Sequence, residues 1–170
     1  MRREGSDGLL AIYRGSCGLV LEECAGIGCE DKVSETFLII GGSVFAILGL
    51  LHAVYTWADT RKPRRLVPDD PAVIEAMANS SVRLSRGGTT MWRAWVGFNF
   101  SHSLGALMFG FGCIALALSL QSITPPRIVL LIPVAIGCTY LWLGVRYWFR
   151  IPVIGIAAAT LCFVAAWLAY

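Results

Sequence analysis

Charge is what this chain lacks. Four stretches, Thr36–Ala58, Ala94–Pro126, Ile128–Val145 and Ile151–Tyr170, contain no Asp, Glu, Lys or Arg. A helix on a water-soluble domain needs a charged face toward solvent, so four such runs in 170 residues exclude an ordinary soluble fold. Acid is absent from the whole second half, because the last of the 11 acidic residues is Glu75. No carboxylate is therefore available inside the later runs to relay protons or to balance a cation. There is also no inverted repeat of the kind transporters show, and transport is accordingly a minor reading. Zinc ligation is not expected: Cys17, Cys24 and Cys29 match no zinc spacing and have no neighbouring histidine. Cys113, Cys138 and Cys162 fall within the apolar runs, where they behave as small apolar residues. No metal and no cofactor is expected. No basic face on a soluble surface is present, so nucleic acid is not a partner.

What remains is overwhelmingly apolar, 56% hydrophobic with a mean hydropathy of +0.67. A helix crosses a bilayer core with about 20 apolar residues, and each uncharged run is near or above that length. The chain is therefore read as an all-α membrane protein, an antiparallel bundle of four transmembrane helices over residues 36–57, 92–120, 127–149 and 152–169. Pro125–Pro126 and Pro152 end one span and open the next, as proline suits the first turn of a helix and breaks an earlier one. The short connections make successive neighbours antiparallel. In the longer loop, residues 58–91, Asp70–Pro71 forms an N-cap with proline at the first helical position. Val73, Ile74, Met77 and Leu84 then give a weak apolar stripe, so a short interfacial helix is expected over Pro71–Val82, broken by Gly87–Gly88. Trp92 and Trp95 would anchor the second span at the headgroups.

Residues 1–32 form an extramembrane tail or a mis-assigned start, with the domain proper occupying residues 33–170 and beginning near Val33. They contain no apolar run long enough for a signal peptide. A disulfide among the three tail cysteines needs that segment to lie outside the cytoplasm. Basic residues are distributed unevenly about the spans. Arg61, Lys62, Arg64, Arg65, Arg83, Arg86, Arg93, Arg146 and Arg150 share one side, whereas Arg2, Arg3, Arg14, Lys32 and Arg127 share the other. The positive-inside rule places loop 58–91 in the cytoplasm and both termini outside. Lipid phosphates are the expected partners of these arginines.

Helices in lipid associate by close approach at small residues. Gly42, Ala46, Gly49 and Ala53 offer such a face on the first span, Gly97, Ser101, Gly105 and Gly112 on the second, and Gly155, Ala159, Cys162 and Ala166 on the fourth. Against this background a few polar side chains are costly: His52 in the first span, Asn99, His102 and Ser103 in the second, and Arg146 near the end of the third. Asn99, His102 and Ser103 lie at i, i+3 and i+4 and so share a face. If that face meets His52, the cluster is either a hydrogen-bond network that fixes helix register or a ligand-binding site. In the second case Arg146 holds an anionic group and His102 carries a proton. Axial ligation of a haem by His52 and His102 is opposed by their offset in depth, about 6 Å for four residues of rise.

The stretch Met91-Trp92-Arg93-Ala94-Trp95-Val96-Gly97-Phe98-Asn99-Phe100-Ser101-His102-Ser103-Leu104-Gly105 resembles the signature of a family of small, uncharacterised bacterial four-helix membrane proteins, and Gly49-Leu50-Leu51-His52 is similar to its first span. The resemblance implies a multi-pass protein of the bacterial inner membrane and carries no activity with it. The expected role is non-catalytic: binding of a lipid-like molecule, or of partner membrane helices including further copies of the chain. The alternative is a membrane enzyme or small-molecule site built on His52, Asn99, His102, Ser103 and Arg146.

Overall fold

The computed structural model describes the backbone of residues 7–170 and the side chains of residues 32–170. The expectation of a separate or mis-assigned segment 1–32, with its cysteine pairing, lies outside the residues whose side chains are described. Five α-helices follow in order: α1 (Asp7–Arg61), α2 (Pro71–Asn79), α3 (Met91–Ser119), α4 (Leu131–Tyr147) and α5 (Arg150–Ala169). Among the described residues, four segments are long and apolar enough to cross a membrane: Lys32–Arg61, Met91–Ser119, Arg127–Tyr147 and Arg150–Ala169. The shortest, 20 residues, spans about 30 Å at 1.5 Å per residue, which matches a hydrocarbon core. The fold is thus an all-α, four-span membrane bundle, as the uncharged runs require.

Several helix ends differ from expectation. The first span continues to Arg61 rather than stopping at Trp57. Beyond it the Asp59 carboxylate accepts the backbone N–H groups of Arg64, Arg65 and Leu66 at 3.0, 3.2 and 2.7 Å, which closes the chain sharply. α2 is capped by Asp70, whose side chain accepts the Ala72 N–H at 2.9 Å, but it ends at Asn79 rather than Val82. There the backbone turns extended and pairs with the approach to α3, Val82 N–H to Thr89 O at 3.1 Å and Met91 N–H to Ser80 O at 2.8 Å. The reversal uses left-handed backbone at Arg86 and Gly87, φ 49° and 93°. The third span opens with a 3₁₀ turn, Arg127–Leu130, before α4 begins. Pro133 has no N–H to give to a carbonyl of that turn.

α1 runs through the middle of the bundle, with α3 on one flank and α5 on the other, while α4 packs on α5. Neighbouring spans are antiparallel. At one end Ser34 Oγ donates to Ala166 O (2.7 Å), Gln121 Nε2 to Glu35 Oε1 (2.6 Å) and the Tyr170 hydroxyl to Pro125 O (2.7 Å). At the other end lie loop 58–91 and the turn between α4 and α5. The α1–α3 seam is a backbone contact. A Cβ on Gly42 would stand 2.7 Å from Gly110 O, and one on Gly110 would stand 2.5 Å from Gly42 O. A side chain on Gly41 would meet the Phe163 ring and Ala159 O, so α5 closes on the opposite flank of α1 in the same manner. One ring from each spanning helix fills the centre. Phe45 meets Phe109 edge-on at 4.7 Å, Tyr140 edge-on at 5.4 Å, and Phe163 in a stack at 6.0 Å. Offset and edge-to-face pairs of this kind add about 0.5–1.5 kcal/mol each beyond the area they bury.

The small-residue face expected on α3 is not the one that packs. Ser103, Ala106, Gly110, Cys113 and Ala117 are buried, whereas Gly97 and Gly112 have open space where a Cβ would be. The packed face continues the line of Asn99 and Ser103 at alternating steps of three and four residues. Residues 97, 101, 105 and 112 are turned away from that line. On α5 the expected ladder does pack, with Ala159 and Ala166 fully buried. Gly110→Leu should therefore lower the unfolding midpoint in detergent by the equivalent of about 2 kcal/mol or more, as overpacking against a fixed backbone does. Gly112→Leu should leave that midpoint nearly unchanged, and equal loss in both variants would contradict the seam.

Candidate functional site

The polar side chains of the spans gather where α1, α3 and α4 converge. Close approach of α1 and α3 sets the His52 ring beside Asn99, with Nε2 and Oδ1 2.9 Å apart. The Asn99 amide nitrogen donates to Trp95 O at 2.8 Å. That bond fixes the amide orientation: the nitrogen faces its own helix and the oxygen faces α1. An amide oxygen only accepts, so His52 must donate from Nε2. In the tautomer with a single ring proton, this leaves the lone pair on Nδ1. This tautomer follows from the hydrogen-bond geometry.

His102 lies one turn farther along α3 and is half-buried. Its ring meets four others: His52 edge-on at 5.3 Å, Trp148 edge-on at 5.1 Å, Tyr140 tilted at 5.8 Å and Phe98 stacked at 6.4 Å. Among the described residues, the His102 ring nitrogens and the Tyr140 hydroxyl make no hydrogen bond. In hydrocarbon an unpaired polar group is expensive, so these atoms are the ones a ligand would satisfy. Gly105 lies beside them: a Cβ there would meet the Tyr140 hydroxyl at 3.7 Å, an ordinary contact.

The residues singled out in the sequence divide accordingly. His52, Asn99 and His102 come together. Ser103 is buried in the α1–α3 seam, and its hydroxyl donates to Asn99 O at 2.8 Å within its own helix. Arg146 is exposed at the end of α4, where its guanidinium lies 5.9 Å from the Tyr147 ring centre and no hydrogen bond or ion pair among the described residues joins it to the cluster. Tyr140 and Trp148 were missed. The available signal was weak: they are aromatic rings with polar tips on a span that also carries Trp142 and Tyr147. The offset in depth between the histidines is real but does not part them. His52 takes Asn99 at its own level, and His102 reaches the same ring from one turn deeper. A haem held by both would need each ring to offer a lone pair to one iron. Here the two ring centres stand only 5.3 Å apart, edge to face, which leaves no room for an iron between them. No group of three His, Cys, Asp or Glu able to hold a metal is found among the described residues.

Alongside the cluster runs an opening. α3 and α4 make no substantial backbone contact, and between them lies an apolar cavity of about 280 Å³. Met108, Phe109, Gly112 and Leu116 line it from α3, and Ile132, Pro133 and Ile136 from α4. It extends from the ring cluster at Phe109 toward the end of the bundle that carries Arg127.

Comparison of the chain with known protein families, with curated proteins and with solved structures found no match. The reading of the site therefore rests on its own geometry. That geometry predicts coupling between His52 and Asn99. In a double-mutant cycle with His52→Leu and Asn99→Leu, measured by reversible unfolding in mixed micelles, the coupling should be about 0.5–1.7 kcal/mol, the range found for hydrogen bonds between membrane helices. Additive losses would remove the hydrogen bond from the account.

Proposed function

We propose that this multi-pass membrane protein binds a lipid-like molecule without transforming it, and that the molecule lies in the seam between α3 and α4. The observation that carries this reading is the alignment of two features along one seam. Among the described residues, His102 and Tyr140 present polar atoms without hydrogen-bond partners there. Directly beyond them the apolar cavity begins at Phe109 and Ile136. A molecule with a small hydrogen-bonding head and a flexible apolar tail matches both at once. The cavity-lining stretch of α3, Met108–Leu116, rises about 12 Å, close to the depth of one leaflet. A hydrolytic or group-transfer reading has less support. Ser103 is committed to a helix carbonyl, and among the described residues His102 makes no hydrogen bond or ion pair with a carboxylate.

The resemblance of the second span supports a place in the bacterial inner membrane. The basic residues support loop 58–91 on the cytoplasmic side with both termini outside. Reporter fusions test this orientation: alkaline phosphatase should be active at Tyr170 and inactive in the loop near Gly87, and the reverse pattern would invert the protein.

Native mass spectrometry from gentle detergent tests the binding. The wild-type chain should retain an amphiphile of defined mass. Gly112→Phe, placed where a Cβ meets open space, should fill the cavity and release it with the fold intact. His102→Leu should weaken retention about tenfold, as loss of one buried hydrogen bond costs about 1–1.5 kcal/mol. Undiminished retention in both variants would end the proposal.

A further inference from the structure

The basic end of the bundle carries a second arrangement that the α3–α4 seam does not use. Loop 61–65 reads Arg-Lys-Pro-Arg-Arg and follows α1 directly. Its path is held by Asp59, which is 1% exposed. Both carboxylate oxygens of Asp59 are committed to backbone N–H groups, Oδ1 to Arg64 and Arg65 and Oδ2 to Leu66. The carboxylate therefore organises the loop without pairing with any of its cations. Two guanidiniums are held in turn by aromatic faces. Arg61 lies 4.1 Å from the Trp57 ring centre and Arg65 lies 4.6 Å from that of Tyr55. Stacking occupies the flat face of a guanidinium and leaves its N–H edge free to donate. Among the described residues no ion pair forms with Arg61, Lys62, Arg64 or Arg65.

Four cations on five residues repel one another. Fixing them on a pinned backbone costs free energy unless an anion is received. Trp57 and Tyr55 are also the kind of side chain that settles at the headgroup level, and they lie at the end of the uncharged run Thr36–Ala58, which is close to the hydrocarbon thickness. The anion at that depth is a phosphate, and arginine forks pair with phosphate through two parallel hydrogen bonds. We infer that loop 61–65, with Trp57 and Tyr55, is a preorganised site for the phosphate headgroup of an anionic lipid. It is separate from the seam between α3 and α4 and stands whether or not that seam holds a ligand. Ordinary attraction of a basic loop to an acidic surface needs only net charge; this site needs the loop's fixed shape as well.

That difference is measurable with the full chain in detergent micelles. Bound lipid would be counted by native mass spectrometry as short-chain phosphatidic acid is titrated, with short-chain phosphatidylcholine as the zwitterionic control. The wild type should bind phosphatidic acid in preference. Arg61→Gln with Arg65→Gln, both exposed side chains, should weaken this about tenfold or more. Arg83→Gln with Arg86→Gln removes the same charge from the same loop but should change it less than twofold. Asp59→Asn makes the loop one unit more positive yet should weaken binding several-fold, because the backbone loses its anchor. Inorganic phosphate at the same concentration should not displace the lipid. Equal loss in the two arginine pairs, tighter binding in Asp59→Asn, or displacement by inorganic phosphate would each overturn the inference.

Discussion

The contact of Gly42 with Gly110 governs the rest of the molecule. Hydrocarbon gives two apolar helices no hydrophobic reason to associate, so packing at short range must supply one. Two glycines facing each other allow the backbones of α1 and α3 to touch. That distance in turn decides what side chains farther along the same seam can do. Two turns from Gly42, Gly49 lies against the backbone of Ser103 and Leu107. One turn beyond that, His52 and Asn99 come within hydrogen-bonding reach. A wider seam would leave both polar groups facing lipid.

The same packing explains why α3 and α4 stay apart. α1 contacts both α3 and α5, and α4 attaches to the bundle through α5, where Gly137 admits the Thr160 side chain. α3 and α4 therefore meet across rings rather than backbones. His102 of α3 meets Tyr140 of α4 and Trp148 just beyond it. Below the rings nothing fills the gap, and the cavity results. The cavity thus lies in a seam that the packing of α1, α3 and α5 leaves open, beside His102 on the helix that the close α1–α3 seam holds in place.

Most of the architecture was legible in the sequence because the bilayer imposes a simple rule. Uncharged runs of sufficient length had one outcome, and the spans Met91–Ser119 and Arg150–Ala169 fall within two residues of their expected limits. The caps at Asp70 and the break before α3 were legible for a local reason, since proline and glycine restrict the backbone wherever they occur. The packing face of α3 was only half legible. Gly97, Ser101 and Gly105 gave a regular small-residue ladder, but the helix turns on the line of Asn99, Ser103 and Gly110, where a polar pairing and a close contact coincide. Residue size alone does not distinguish the two lines. Asp59 was not legible as a structural anchor, because its partners are three backbone N–H groups and carry no sequence signature. Tyr140 and Trp148 were missed for a related reason. Their role depends on α4 being carried by α5 to the far side of the bundle, which is a matter of long-range packing.

The account turns on α1 and α3 lying close enough, in lipid, for His52 to donate from Nε2 to Asn99. Nitrogen NMR of histidine-labelled protein in lipid nanodiscs reports that tautomer directly. Nε2 of His52 should carry a hydrogen-bonded proton, and Asn99→Leu should abolish that hydrogen-bonded signal. A His52 bare at Nε2, or one whose spectrum ignores the loss of Asn99, would contradict the account.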